Sequence, residues 1–196
     1  MGIDNDIIKG CINKQRDCQK KLYDTLSGKM LFVCFRYCKN RDDAEDVLQE
    51  GFIKVFKHIN TFKFEGSFEG WVRRIMVNTA INFITQQKKK YLFDDIDNVA
   101  IHPESELDAI TQINEKDLLK ILSLLPDGYR TVFNLFAIEG YSHKEISDLL
   151  NITEGTSKSQ LSKAKAHLKK LLYQHFDADL EPKSTLSWVV LKMIKK

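Results

Sequence analysis

The segment YSHKEISDLLNITEGTSKSQLSKAKAHLKKLL, residues 141–172, has the pattern of two helices joined by a tight turn. Ser142 and, three residues later, Glu145 form the sequence of a capping box, which predicts the start of the first helix. The turn follows this helix, and Thr153 is placed to cap the second helix, 154–172. The segment therefore predicts a helix-turn-helix, a motif whose second helix enters the major groove of DNA.

The outer face of this second helix is basic and carries short hydroxyl side chains. Leu161, Ala164 and Leu168 recur at helical spacing and are predicted to form its core face. Short side chains let a helix approach base edges, lysines can contact guanine or phosphate, and the amides at a helix N-terminus can hold a phosphate. The candidate DNA contacts are Thr156, Lys158, Ser159, Ser162 and Lys163. A solvated basic helix in a bundle is the alternative, and the tight turn and the acid-poor outer face argue against it.

A second segment without carboxylates, WVRRIMVNTAINFITQQKKK, covers residues 71–90. Helical spacing gathers its apolar residues on one side and leaves a neighbouring stripe with an indole ring, a guanidinium and two amides. Such groups suit unstacked bases and phosphates. The stripe comprises Trp71, Arg74, Asn78, Asn82 and Thr85. Two alternatives stay open, since a Trp at the start of a helix is often a core anchor and a basic helix end often only complements the helix dipole.

The chain of 196 residues is long enough for one large domain or two small ones. Helical periodicity extends over most of it, which predicts an all-α fold. Residues 94–108 contain six acidic residues and no Lys or Arg, so they predict an acidic linker between two helical domains. No secretory signal or membrane span is visible, and a cytoplasmic protein without membrane insertion is expected. The predicted helices are 4–13, 16–38, 42–59, 68–89, 105–125, 127–138, 142–150 and 154–175.

Enzyme and metal chemistry find little support in the sequence. The four cysteines lie in the first fifth of the chain, and Cys34 and Cys38 are spaced to hold two metal ligands on one helix. No His lies nearby to complete a zinc site, and buried thiols behave as small hydrophobic groups. The five histidines make no metal pair, and neither a phosphate-binding Gly loop nor a nucleophile elbow occurs. We therefore expect no catalytic residue, no metal and no cofactor.

Two separate segments resemble one protein family. DAEDVLQEGFIKVFKHI (43–59) followed by FEGWVRRIMVNTAINFI (68–84) is similar to the second conserved region of bacterial RNA polymerase sigma factors. The segment 125–168, which contains the helix-turn-helix, is similar to their fourth region. Since no domain is apparent between them, the match is to the extracytoplasmic-function (ECF) class. The resemblance implies a region 2 domain at 1–92, an acidic flexible linker at 93–112, a region 4 domain at 113–176 and a C-terminal tail at 177–196.

The resemblance also implies a polymerase-docking role for the predicted helix 42–59. Periodicity leaves one acidic face of this helix exposed, and from periodicity alone a merely solvated face is favoured. In similar proteins this face meets the clamp helices of the largest subunit of core RNA polymerase, and region 4 meets the flap. The implied docking residues are Asp46, Gln49, Glu50 and Ile53. An anti-sigma factor is a further partner that the class commonly has.

In the family, the helix that matches 68–89 and the loop 60–67 before it engage the promoter element about ten bases upstream of the start site and capture a flipped base. Asn78 and Asn82 match asparagines common in that motif, while Trp71 belongs to the same stripe. Backbone contacts are assigned to Arg73, Arg74, Lys88, Lys89 and Lys90. Region 4 implies recognition of the element about thirty-five bases upstream, although Gln160, Lys163 and Lys165 stand where many relatives carry arginine. The alternative function is a stand-alone helix-turn-helix regulator, which would bind its operator unaided.

Overall fold

The structure, a computed structural model, describes residues 3–38, 40–91, 119 and 121–175, with the backbone alone at 88–91 and 172–175. The chain divides into two compact units, one within residues 1–101 and one within 102–196. The described residues form helices, turns and loops and contain no strand, so the predicted all-α class is confirmed. The predicted linker 93–112, the predicted tail 177–196 and most of the predicted helix 105–125 lie outside the described residues.

The first unit is a helical bundle. Asn40 begins its third helix, because the Asn40 side chain accepts a hydrogen bond from the Asp43 backbone N–H at 2.8 Å. The second, third and fourth helices pack against one another, and the first packs on the second. The described elements of this unit are α1 (Asn5–Ile12), α2 (Arg16–Phe35), α3 (Arg41–His58), a 3₁₀ turn (Ile59–Thr61) and α4 (Phe68–Tyr91).

α2 ends at Phe35, three residues before the predicted end. The backbone tightens there, because Arg36 N–H donates to the Val33 carbonyl at 3.3 Å and Tyr37 N–H donates to the Cys34 carbonyl at 2.9 Å. Such i to i−3 hydrogen bonds commonly close the last turn of an α-helix. The apolar periodicity continues through this turn, so periodicity alone placed the end too late.

The closest approach in the first unit lies between α3 and α4. Gly51 on α3 is buried, and a Cβ added to it would overlap Sδ of Met76 on α4. The Met76 side chain is itself completely buried, as are Val72 and Ala80 on the same face of α4. Glycine therefore lets these two helices pack at short range. The exposed faces of α3 and α4 are neighbours on the surface of one tightly packed core.

The second unit contains the helix-turn-helix. The predicted capping box is confirmed: Ser142 Oγ accepts from Glu145 N–H at 3.2 Å, and Glu145 Oε2 accepts from Ser142 N–H at 2.8 Å. Asn151 ends the first helix in the left-handed region at φ 53°, and Thr153 Oγ1 caps the next helix by accepting from Thr156 N–H at 3.0 Å. The described elements are α5 (Asp127–Phe133), a π-helical turn (Asn134–Ile138), α6 (His143–Leu150) and α7 (Glu154–His175).

α5 and α6 both pack against α7. Leu161, Ala164 and Leu168 of α7 are buried, as their spacing predicted, and Ile146 of α6 joins them in the core. The periodicity over 127–138 predicted one regular helix, whereas the structure widens to a π-helical turn at its C-terminal half. In the described part of the chain, no helix is both long enough and apolar enough to cross a membrane.

Candidate functional site

The outward side of α3 forms a polar face around one apolar residue, as periodicity predicted. We call it the acidic face of α3, and it comprises Asp46, Gln49, Glu50 and Ile53, all exposed. Ile53 is 66% exposed, the largest value among the exposed large apolar residues described. The opposite side of the helix is buried against the bundle. An apolar side chain held in water among hydrogen-bonding groups is a feature typical of a protein-binding surface.

A lysine connects this acidic face to α4. Lys54 Nζ lies 2.6 Å from Glu50 Oε1 and also donates to Thr79 Oγ1 at 3.3 Å. The Thr79 hydroxyl in turn donates to the carbonyl of Ile75 at 2.8 Å. Helical periodicity does not indicate this connection, because Lys54 and Thr79 are 25 residues apart and belong to different helices.

The predicted stripe on α4 lies along the surface of the first unit. Arg74 and Asn82 are exposed, Trp71 and Asn78 are half-buried, and Arg73 beside them is also half-buried. The amides of Asn78 and Asn82 are therefore both accessible from one side of α4. The predicted residues Lys88, Lys89 and Lys90 lie on the last turns of this helix, where the structure describes the backbone alone.

Four aromatic side chains cluster where the loop 62–67 meets α4, and we call them the aromatic cluster: Phe62, Phe64, Phe68 and Trp71. The Phe62 ring centroid lies 5.0 Å from that of Phe68 and 5.8 Å from that of Trp71, and Phe68 stacks on Trp71 at 5.6 Å. The Trp71 ring is therefore packed on one side and half-buried as a whole. It serves partly as a core anchor and partly as a surface residue of the stripe. The cluster fixes the loop against the start of α4.

Phe64 is the outermost member of the aromatic cluster. Its ring lies 5.3 Å from Phe62, it is 43% exposed, and its backbone has φ 59°. A bulky residue at positive φ is strained, and strained backbone is found preferentially at functional sites. Phe64 was not among the predicted site residues, and its only signal in the sequence is an aromatic residue two positions before Gly66.

The loop ends in a side-chain cap on α4. Ser67 Oγ accepts a hydrogen bond from Gly70 N–H at 3.2 Å at the start of α4. Glu69 in the first turn forms an ion pair with Lys29 of α2, with Nζ 2.9 Å from Oε2. These contacts attach the beginning of α4 to α2 and so fix the position of the loop and the first turn of α4.

The outer face of α7 carries the residues predicted for the major groove. Lys158, Ser159, Ser162 and Lys163 are exposed, and Thr156 is half-buried with its Oγ1 2.9 Å from Thr153 Oγ1. Glu154 lies 3.6 Å from the Lys158 ammonium, so this acid partly neutralises the first cation of the face. The structure thus gathers these five residues on one accessible side of the second helix.

A partly buried hydrogen bond that the sequence did not indicate joins α6 to α7. Ser157 is completely buried, and its Oγ lies 2.9 Å from His143 Nδ1. The imidazole also stacks on Phe136, with centroids 4.6 Å apart. Burial lowers the pKa of His143, and Lys158 adds to this effect. The neutral imidazole therefore links the two helices of the motif.

The cysteines are free thiols in the first unit. Burial raises the pKa of Cys11 to about 11 and that of Cys34 to about 12, which keeps both in the unreactive thiol form. In residues 3–38, 40–87, 119 and 121–171, no group of three or more His, Cys, Asp or Glu residues is placed to hold a metal ion.

Comparison with known proteins gives matches along both units. Residues 22–90 match the family described as Sigma-70 region 2, and residues 115–168 match Sigma-70, region 4. The ECF RNA polymerase sigma factor SigW of Bacillus subtilis is 31% identical over 180 residues, which cover 84% of this chain and 94% of the relative. The ECF RNA polymerase sigma-E factor of Haemophilus influenzae is 29% identical over 171 residues, which cover 79% of this chain and 89% of the relative.

Among solved structures, one match is the sigma factor RpoE in complex with the anti-sigma factor NepR from Bartonella quintana. It is 24% identical with a TM-score of 0.48, and the match covers 78% of this chain and 95% of that chain.

Proposed function

The chain belongs to the ECF RNA polymerase sigma factors, and from this premise we propose which of its residues bind polymerase and which bind the promoter. As a sigma factor it is a transcription initiation factor and not an enzyme. It binds core RNA polymerase, recognises a promoter of two elements and promotes melting of the DNA. One observation carries the assignment of residues: two exposed surfaces of different chemistry lie on α3 and α4, which pack tightly through Gly51 and Met76.

The acidic face of α3 is the proposed docking surface for the clamp helices of the largest polymerase subunit. Ile53 is the apolar anchor, and Asp46, Gln49 and Glu50 surround it with hydrogen-bonding groups. Binding hot spots typically combine an apolar anchor that becomes buried on binding with a polar rim. The face is rigid before binding because its residues alternate with core residues of the same helix, so docking orders no new backbone.

The stripe on α4 and the aromatic cluster are the proposed surface for the downstream promoter element. Asn78 and Asn82 face an unstacked base or its backbone, with Trp71 at the start of the stripe, and Phe64 offers a ring on which that base can stack. Unstacking costs a few kcal/mol, and stacking on an aromatic side chain returns about 1–3 kcal/mol per base. Phosphate contacts supply the remainder. The proposed backbone contacts are Arg73, Arg74, Lys88, Lys89 and Lys90.

The outer face of α7 is the proposed surface for the upstream promoter element. Thr156 and the first amides of α7 suit a phosphate at the helix N-terminus, while Lys158, Ser159, Ser162 and Lys163 face the base edges. Lysine lacks the planar fork of arginine, so base discrimination at this element is expected to be weaker than an arginine-rich surface would give. Region 4 is also proposed to meet the polymerase flap.

We propose the domain boundaries that the resemblance implied: region 2 at 1–92, the linker at 93–112, region 4 at 113–176 and the tail at 177–196. They agree with the two family matches, which fall within the first and third segments. We infer a cytoplasmic location because core polymerase acts there, and an anti-sigma factor as the regulatory partner because the class commonly has one.

Run-off transcription with purified core polymerase on a promoter library tests this proposal. We expect transcripts only when the chain is added, Lys163→Ala to reduce transcription from selected promoters without loss of core binding, and Glu50→Ala to weaken core binding in competition with another sigma factor. A stand-alone regulator would instead bind its operator without polymerase. Failure of the wild-type chain to bind core polymerase at modest ionic strength would exclude the proposal.

A further inference from the structure

The Lys54 ammonium lies between the two proposed surfaces of the first unit. On one side it meets the carboxylate of Glu50, which belongs to the acidic face of α3, at 2.6 Å. On the other side it donates to the hydroxyl of Thr79 on α4 at 3.3 Å. The Lys54 side chain is 34% exposed, so part of it reaches solvent at the junction of the two helices.

Thr79 fixes where this charge lies relative to the stripe on α4. Thr79 is 1% exposed and gives its hydroxyl hydrogen to the Ile75 carbonyl, so its oxygen can only accept from Lys54. Thr79 precedes Asn82 by three residues, a spacing that places the two side by side on a helix surface. The contact with Thr79 therefore holds the Lys54 ammonium on the side of α4 next to Asn82, one of the residues proposed to contact DNA.

The Glu50–Lys54 ion pair neutralises this cation in the free chain. Both side chains are partly in water, and exposed ion pairs of this kind are weak and screened by salt. A basic group of polymerase that engages the Glu50 carboxylate would compete with Lys54 for it. The ammonium has three donor hydrogens and no acceptor, so it would then require another anion.

We propose that Lys54 is a further contact to the promoter backbone, and that Glu50 masks its charge until polymerase engages Glu50. The ligand is a phosphate of the melted single strand that lies along the stripe on α4. This inference rests on the proposed docking of Glu50 to polymerase. On this proposal the free chain binds single-stranded DNA more weakly than the same chain on polymerase.

The free-chain test measures the affinity of the full chain for a fluorescently labelled mixed-sequence single-stranded oligonucleotide between 50 and 200 mM salt. Each phosphate contact on a single strand adds about 0.7 to the slope of log Kobs against log salt. We expect Glu50→Gln to steepen the slope by about 0.7, which is about 2.6-fold more affinity lost over this salt range. Glu50→Gln combined with Lys54→Gln is expected to return to the wild-type slope, and Lys54→Gln alone to leave it unchanged. A steeper slope that persists in the double variant would mean that Glu50 acts through its own charge, and would overturn the proposal.

The second test uses the complex with saturating core polymerase and a promoter oligonucleotide from the library selection. Lys54→Gln is expected to reduce the slope by about 0.7, whereas Lys57→Gln, which removes an exposed lysine from the same helix, should not change it. An unchanged slope for Lys54→Gln in a complex that still forms would overturn the inference and leave the proposed function intact. Absence of any complex with wild-type chain would instead refute the proposed function.

Discussion

Replacement of Ile53 by alanine is expected to weaken the binding of this sigma factor to core polymerase by about fifteen-fold. The change removes three carbons, each worth about 0.8 kcal/mol on full burial. Because Ile53 is 66% exposed in the free chain, roughly two thirds of that burial remains to be gained on docking. The product is about 1.6 kcal/mol, or about fifteen-fold in Kd. The assay is competition between labelled wild-type and unlabelled variant chain for a limiting amount of core polymerase.

Two controls separate docking from folding. Alanine is the better helix former, so the thermal unfolding temperature of Ile53→Ala should not fall. Phe64→Ala removes another exposed apolar side chain of the same unit, outside the proposed docking face, and should leave core binding within about two-fold while it slows promoter opening. If Ile53→Ala stays folded and competes within about two-fold of wild type, the acidic face of α3 does not provide the docking surface.

Three further substitutions test the stripe on α4, the packing of α3 on α4 and the hydrogen bond between α6 and α7. Asn78→Ala should reduce promoter-dependent transcription about ten-fold, consistent with one lost base contact, with unchanged competition for core polymerase; loss of core binding would contradict the assignment. Gly51→Ala should lower the free energy of unfolding by about 1–3 kcal/mol, because buried Met76 must move. Gly28→Ala is the control: the space around its Cβ is open, so the substitution should raise the free energy of unfolding by about 0.5–1 kcal/mol. Urea titration measures both variants, and stabilisation by Gly51→Ala as well would disprove the close approach of α3 and α4. The lowered pKa of His143 means that the unfolded chain binds a proton near the ordinary value of about 6.5 and the folded chain only at lower pH. Stability contributed by His143 is therefore complete above this value and lost as pH falls through the folded pKa. Calorimetry of His143→Gln should show an unfolding temperature that depends less on pH than that of the wild-type chain. The same pH dependence in both chains would contradict this role of His143.

The elements that sequence reasoning located well are those set by local spacing. The exposed set on α3 and the buried set on α7 follow directly from 3.6-residue periodicity, because each helix packs on one side only. The capping box at Ser142 and the caps at Ser67 and Thr153 use side chains within three residues of the amides they satisfy, so the sequence alone contains all their information.

The contacts that sequence reasoning missed depend on tertiary structure. Lys54 meets Thr79, and His143 meets Ser157, only because two helices pack at a particular register. Ser157 illustrates the difficulty, since a small hydroxyl in a basic helix is typical of a DNA-facing position, yet it is completely buried. The positive φ of Phe64 was equally inaccessible, because nothing in the residue type favours that conformation.

The division of α3 into a packed side and a free side has a consequence for protein engineering. The outward positions 46, 49, 50 and 53 do not take part in the interior, and the inward positions are held by α2 and α4. The side chains at 46, 49 and 53 can therefore be replaced by those of another sigma factor without rebuilding the bundle, while Glu50 keeps its ion pair with Lys54. Because this face is the proposed docking surface, such a chimera is expected to change its affinity for core polymerase and to keep its own promoter.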